Sequence, residues 1–145
     1  MLLFFLSSCV EVEAPEVKYL DHAARNITLD GFDAIFFFEA SNPNPVSVGI
    51  NKYSYKIFLN EQEFLSDEKK GFRIPASGKK NFEISARIKY ANILKTGASI
   101  ISTLLSGEQE IPYKIEGSLS GDVAGMIITA PINAEGTIKV TIPKK

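Results

Sequence analysis

The chain contains one cysteine, one histidine and no tryptophan. A lone cysteine, Cys9, cannot form an intramolecular disulfide, so the protein is not a small secreted domain held together by bridges. A structural zinc ion takes four ligands, mostly Cys and His, and the chain offers two such side chains. Acid–base catalysis by histidine would depend on His22, with Asp21 beside it, and a solvated loop histidine is the simpler interpretation. We therefore expect neither an enzyme nor a metal site.

The chain also lacks an excess of charge and any long apolar run after residue 9. Sixteen basic and 17 acidic residues give a net charge of −1, which provides no overall basic field for binding nucleic acid. A membrane-spanning helix needs about 20 apolar residues, and no stretch approaches that length. Phosphate-binding glycine motifs and calcium-loop spacings are missing too, so we expect no cofactor. With 145 residues, 45% of them hydrophobic, the chain predicts one globular domain.

The beginning of the chain resembles a bacterial lipoprotein precursor. A short apolar segment ends in Leu6, Ser7, Ser8 and Cys9, as expected for an export signal that is cleaved after small residues. We predict that residues 1–8 are removed, that Cys9 receives the lipid, and that residues 9–16 form a tether to a domain at 17–145. The alternative is a frayed apolar N-terminus with an incidental cysteine, which the lack of Lys and Arg before Cys9 favours.

This interpretation places the protein in a bacterial cell envelope, held by its lipid anchor. In an organism with two membranes, Val10 after the cysteine permits delivery to the outer membrane, with the domain on the periplasmic side.

Apolar residues recur at every second position through most of the chain, which predicts β-strands. Residues 35–38 form a central strand, residues 46–59 change phase at Asn51-Lys52 as a β-bulge would require, and residues 82–90 alternate most clearly. Further strands are expected at 111–119, 126–132 and 138–142, with turns at 121–122 and 133–136. One helix is expected at about 92–106, with Asn92 as its N-cap. The fold class is thus mainly β: an antiparallel immunoglobulin-like or fibronectin-III-like sandwich with one helix.

Several landmarks occur together in a fixed order. They are Asp30-Gly31-Phe32, Asn42-Pro43-Asn44-Pro45, Tyr53-Ser54-Tyr55, Ile74-Pro75-Ala76-Ser77-Gly78, Tyr113-Lys114-Ile115-Glu116-Gly117 and a final segment from Pro131 to Ile138. This order resembles the group-2 late embryogenesis abundant (LEA) family, also called the water stress and hypersensitive response domain, over roughly residues 17–142. The resemblance implies a β-sandwich, roles in desiccation and stress protection or lipid handling, and no catalytic residues. Bacterial members similar to this chain are often lipoproteins.

Two surface features offer candidate binding sites. Seven of the sixteen basic residues fall within positions 69–89. If their loops share one end of the sandwich, that end could contact anionic lipid head groups or another acidic partner. The candidate contacts are Lys69, Lys70, Arg73, Lys79 and Lys80. The alternative is a strand edge that lysines protect against aggregation.

The second feature is an aromatic segment that could line an apolar groove between a sheet and the helix. The groove would accept an acyl chain or a hydrophobic peptide, with the candidate residues Phe36, Phe38, Ile100, Ile101 and Leu104. Ordinary core packing is the alternative.

The functional hypotheses follow from these features. The first is a non-enzymatic, lipid-anchored, extracytoplasmic LEA-type domain that binds or protects macromolecules under water stress. The second is a carrier of lipid or another hydrophobic ligand, and the third is a structural or adhesive module of the envelope that contacts another envelope protein.

Overall fold

The computed structural model describes residues 12–94 and 108–141, which form two antiparallel sheets packed face to face. The elements are β1 (Glu16–Arg25), β2 (Gly31–Ser41), β3 (Val48–Leu59), β4 (Gln62–Lys70), β5 (Arg73–Ile74), β6 (Lys79–Lys89), α1 (Tyr90–Leu94), β7 (Glu108–Val123) and β8 (Met126–Thr141). One sheet has the order β1-β2-β6 and the other β4-β3-β7-β8, with β5 also paired to β3. The predicted antiparallel sandwich is confirmed.

The core lies between the two sheets and follows the alternation of the sequence. In β2 the even positions from Phe32 to Ala40 are buried, and β2 is the central strand of its sheet, as predicted. Rings cross the interface: Phe36 lies 4.9 Å from Tyr113, and Phe82 lies 5.2 Å from Tyr53, between ring centroids. Aromatic pairs at these distances stabilise a core beyond the area that they bury.

The predicted β-bulge in β3 is confirmed. The register of β3 against β7 shifts between Ile50 and Lys52, so the buried positions change from even to odd numbers. The chain turns at Asn60 and Glu61, which have positive φ angles of 52° and 67°. Such a pair suits a two-residue hairpin, whose twist matches that of the flanking strands.

Other predicted boundaries are wrong. Lys69 and Lys70 belong to β4, because this strand pairs with β3 as far as Lys52. The predicted turns at 121–122 and 133–136 lie inside β7 and β8, which pair continuously over 16 residues each. The chain reverses at Ala124-Gly125 instead.

The helix starts earlier than predicted. It begins at Tyr90, whose N–H donates to the Asp30 carbonyl, so Asn92 lies within the helix and is not its cap. The rest of the predicted helix, with Ile100, Ile101 and Leu104, lies outside the described residues. Within the described parts of the chain, no helix is long and apolar enough to cross a membrane.

Candidate functional site

One end of the sandwich gathers most of the predicted binding residues. The connection from β2 to β3 at 42–47, the segment 71–78, the turn at 124–125 and the entering segment 12–16 all meet there. The register establishes this, because Val48 pairs with Ile74 and Gly49 pairs with Asp122. We call it the Asn44 end, after a residue that holds it together.

Two buried asparagines organise the Asn44 end. Asn42 and Asn44 are each 3% exposed. Nδ2 of Asn42 donates to the carbonyl oxygens of Val46 at 2.8 Å and Pro75 at 3.0 Å. Oδ1 of Asn42 accepts from the backbone N–H and from Nδ2 of Asn44, both at 2.9 Å. Buried amides satisfied in this way fix their loops, because an unpaired polar group would cost about 1–3 kcal/mol.

Asn44 also binds the backbone of the segment that precedes β1. Its Nδ2 donates to the Glu13 carbonyl at 2.8 Å, and its Oδ1 accepts from the Glu13 N–H at 2.9 Å. This two-bond contact makes Asn44 behave like the backbone of a neighbouring strand. The segment that leads to Cys9 therefore leaves the domain at the Asn44 end. Leu6, Ser7, Ser8 and Cys9 themselves lie outside the described residues.

The five candidate basic residues all lie on the strands that start or finish towards this end, and all are exposed. Lys69 pairs with Asp67 at 3.5 Å, Lys79 pairs with Glu39 at 3.7 Å, and Arg73 donates to Oγ of Ser47 at 2.7 Å. For Lys70 and Lys80, the described residues supply no carboxylate within 4.0 Å.

Two other cations of the same sequence cluster lie at the opposite end. Arg87 contacts Asp33 at 3.3 Å, and Lys89 pairs in register with Gly31. A hydrogen bond from Asn26 and the charge of Arg87 lower the pKa of Asp33. These contacts hold the β1–β2 connection against β6, so these residues have a structural role.

The groove candidates Phe36 and Phe38 are completely buried. Phe36 packs against Tyr113, while Phe38 lies 5.4 Å from both Tyr19 and Phe82, between ring centroids. The residues that would form the other wall of the groove lie outside the described part of the chain. The groove thus remains a prediction, and its described wall is occupied by core packing.

A polar cluster that sequence reasoning missed lies between β1 and β7. The hydroxyl of Tyr19 is 2.9 Å from Nδ1 of His22 and 2.5 Å from the hydroxyl of Tyr113. Burial, followed by the Tyr113 hydrogen bond, raises the pKa of Tyr19 well above its usual range. Asp21 accepts from the backbone N–H of His22 and not from its ring. His22 lies in β1 and is half-buried, so the interpretation as a solvated loop histidine is wrong. Only the spacing Tyr19-x-x-His22 could have hinted at this contact.

The described residues contain no group of three or more His, Cys, Asp or Glu side chains able to hold a metal ion. A cleft of about 650 Å³ lies beside β7 and mixes Phe58 and Pro112 with Lys114, Glu116 and Glu135. Lys114 and Glu116 form an ion pair at 3.0 Å, which raises the pKa of the lysine.

Comparison with known proteins agrees with this architecture. The solution structure of AT1g01470 from Arabidopsis thaliana is 17% identical, with a TM-score of 0.69 over 94% of this chain and 87% of that one. At2g46140.1, described as a candidate late embryogenesis abundant protein from Arabidopsis, is 21% identical, with a TM-score of 0.70 over 95% and 78%. A protein from Archaeoglobus fulgidus is 9% identical, with a TM-score of 0.57 over 90% and 98%. At these identities the likeness concerns the fold alone.

A search of curated proteins found no significant match. The family model LEA_2, described as late embryogenesis abundant protein, matches residues 37–140. This match runs from the middle of β2 almost to the end of β8, which is more than half of the chain. The chain therefore belongs to the LEA_2 family of late embryogenesis abundant proteins.

Proposed function

We propose that this protein is a non-enzymatic LEA_2 domain that a lipid on Cys9 holds at a membrane of the bacterial cell envelope. The sequence Leu6-Ser7-Ser8-Cys9 and the LEA_2 match carry the proposal, and the attachment of Glu13 to Asn44 at 2.8 and 2.9 Å adds its geometry. Because of this contact, the chain that connects Glu13 to Cys9 starts from the Asn44 end of the sandwich.

The tether implied by this contact is short. Cys9 is four residues before Glu13, and four extended residues span at most about 14 Å. A lipid on Cys9 would keep the Asn44 end within that distance of the bilayer. Each buried methylene of an acyl chain contributes about 0.8 kcal/mol, so attachment through several chains would be lasting.

The domain beyond the anchor acts as a stable scaffold that binds or shields other macromolecules under water stress. Membership of the LEA_2 family supports this role, although a shared fold does not by itself establish a function. The half-buried Tyr19, His22 and Tyr113 side chains bond to one another across the two sheets, which favours a structural role over catalysis. The carrier alternative has less support, because Phe36 and Phe38 pack within the core.

Metabolic labelling with a fatty-acid probe tests the anchor. We expect the wild-type protein to incorporate the label and to partition with membranes, and Cys9→Ala to do neither. Circular dichroism of both proteins checks that the β-sandwich is retained, and Ser120→Ala in β7 serves as a matched control that keeps its label. Equal labelling of wild type and Cys9→Ala, or none in either, would remove the anchor.

A further inference from the structure

The tip of the β7–β8 hairpin is built entirely from apolar residues and glycine. It reads Val123-Ala124-Gly125-Met126-Ile127, and Met126 and Ile127 are 55% and 86% exposed. Met126 has the same parity as the buried Ile128 and Ala130, yet it stays open to solvent. Val46, in the neighbouring connection, is 45% exposed. Three of the five exposed large apolar side chains in the described residues thus lie at the Asn44 end.

The backbone of this tip makes its composition unexpected. Ala124 and Gly125 have φ angles of 49° and 84°. Two positive φ angles at a two-residue hairpin favour Asn-Gly or Asp-Gly, and a residue with a Cβ atom is strained there unless it is Asn or Asp. The matching turn at the opposite end uses the polar pair Asn60-Glu61. The Asn44 end therefore has an apolar residue where a polar one would fit the backbone better.

The charges around this end are mixed: Lys69 and Lys79 are paired with Asp67 and Glu39, whereas three other cations are not. Lys70, Arg73 and Lys80 are exposed and have no carboxylate within 4.0 Å among the described residues. They lie on the side formed by β4, β5 and β6. The acidic side chains of Glu13, Glu16 and Asp122 lie on the other side, near the start of β1 and the end of β7. The cations on the β4, β5 and β6 side would attract an anionic surface, and the hairpin tip would bury apolar area in it.

We propose that the Asn44 end docks directly on an anionic lipid bilayer, with Met126 and Ile127 inserted at the level of the head groups and with Lys70, Arg73 and Lys80 above them. Glu13, four residues from Cys9, is held at this same end, which favours a membrane over a second copy of the protein. The proposal rests on the proposed anchor for its proximity to the bilayer, but the contact itself needs no acyl chain. It fixes which pole of the domain faces the lipid.

An environment-sensitive fluorophore at the hairpin tip tests the orientation. Ile127→Cys is labelled in the full chain, and Leu29→Cys is the matched control. Leu29 is an exposed apolar residue, at 54%, in the connection at the opposite end. In vesicles of mixed phosphatidylglycerol and phosphatidylcholine, the emission from position 127 should shift to the blue, and that from position 29 should not. Raising the salt concentration should reduce the shift, since polybasic contacts are screened.

Substitutions at the tip test the contribution of each part. In a Cys9→Ser background, where no acyl chain can hold the protein, Ile127→Asn should weaken the partition into anionic vesicles about tenfold or more, because insertion of a large apolar side chain is lost. Leu29→Asn should leave partition unchanged. Lys70→Gln with Lys80→Gln should weaken it by roughly 25-fold, at about fivefold for each cation near the surface.

Ala124→Asn separates docking from folding. Asn suits the left-handed backbone better than Ala, so the variant should raise the midpoint of unfolding while it weakens vesicle binding. A more stable protein that binds vesicles less cannot be explained by a folding defect. Equal vesicle binding by Ala124→Asn, Ile127→Asn and wild type would overturn the proposal.

The remaining outcomes distinguish a failure of the docking surface from a failure of the lipid anchor. A chain that carries fatty acid but shows no emission shift at position 127 keeps its anchor and overturns the docking. If Cys9 carries no fatty acid, the same label is followed in a Cys9→Ser background during titration with vesicles, and a blue shift still supports docking. Equal shifts at positions 29 and 127 would overturn the orientation. A concentration-dependent dimer that Ile127→Asn abolishes would assign the tip to a second copy instead.

Discussion

Single residues at the Asn44 end show what local sequence can and cannot reveal. The run Asn42-Pro43-Asn44-Pro45 predicts the end of a strand, and β2 does end at Ser41. The sequence did not predict that Asn44 holds Glu13, because the partners are 31 positions apart and no local pattern connects them. A hydrogen bond of this kind is a property of the fold, and the asparagine that forms it looks like any turn residue.

Asn44→Asp should destabilise the protein and release its N-terminal segment. The substitution keeps the shape but removes the donor to the Glu13 carbonyl and to Oδ1 of Asn42. The loss of two partners and the burial of a carboxylate should lower the free energy of unfolding by about 2–3 kcal/mol. Urea denaturation measures this change, and cleavage by a glutamate-specific protease at Glu13 and Glu16 should become faster.

Asn81→Asp is the matched control for this change. Asn81 is exposed in β6, so the same chemical substitution should change the unfolding free energy by less than about 0.5 kcal/mol. Equal effects of the two substitutions, or unchanged proteolysis in Asn44→Asp, would contradict the role assigned to Asn44.

At the scale of elements, the phase of the alternation was the most reliable signal and glycine the most misleading one. The bulge in β3 was predicted because its apolar positions change from even to odd. The false turns at 121–122 and 133–136 came from reading Gly121 and Gly136 as breaks. The apolar positions of β8 keep even numbers from Ile128 to Val140, with Gly136 in the series. An alternation that keeps its phase across a glycine indicates one continuous strand.

The glycines in β7 serve a different purpose, which a paired substitution can test. A Cβ atom at Gly117 would come within 2.2 Å of the Ser54 carbonyl oxygen in β3, whereas one at Gly49 would meet nothing closer than Asp122 at 3.7 Å. Gly117→Ala should therefore force the strands apart and lower the unfolding free energy by about 1–3 kcal/mol. Gly49→Ala should leave it nearly unchanged. Thermal unfolding of both variants measures the difference. Equal stability of the two variants would mean that β3 and β7 can move apart without lowering the free energy of unfolding.

At the scale of the whole molecule, the two-sheet architecture and the central place of β2 were predictable, because they depend on patterns that extend over many residues. The sequence alone could not establish that Lys70, Arg73 and Lys80 lie at one end of the sandwich, because this depends on how strands from two sheets align. The apolar tip at Met126-Ile127 escaped notice, because apolar residues in an alternating strand are expected to be buried.

The molecule should lose stability in alkali, because burial raises the pKa of all five tyrosines. For Tyr55, burial and then the charge of Asp67 raise the pKa to about 12. An unfolded tyrosine loses its proton near pH 10 while the folded one keeps it, so the stabilisation is complete below about pH 10 and falls above it.

Each tyrosine that is still protonated in the folded state should contribute up to about 1.4 kcal/mol per pH unit to this fall. Urea denaturation between about pH 8 and about pH 11, with tyrosinate absorbance recorded in parallel, measures the slope. Tyr55→Phe should reduce the slope by the contribution of one tyrosine, which is up to about 1.4 kcal/mol per pH unit. A stability that stays level beyond about pH 10 would show that the buried hydroxyls ionise as freely as in the unfolded chain.

The continuous pairing of β7 with β8 has a mechanical consequence. Glu13 is fixed at one pole of the sandwich, and Thr141 ends β8 at the other. Tension applied between these two points runs along the strands, so it shears the β7–β8 ladder and loads its hydrogen bonds together instead of opening them one after another. The domain is thus arranged to transmit a pull from the Asn44 end to its far pole without unzipping.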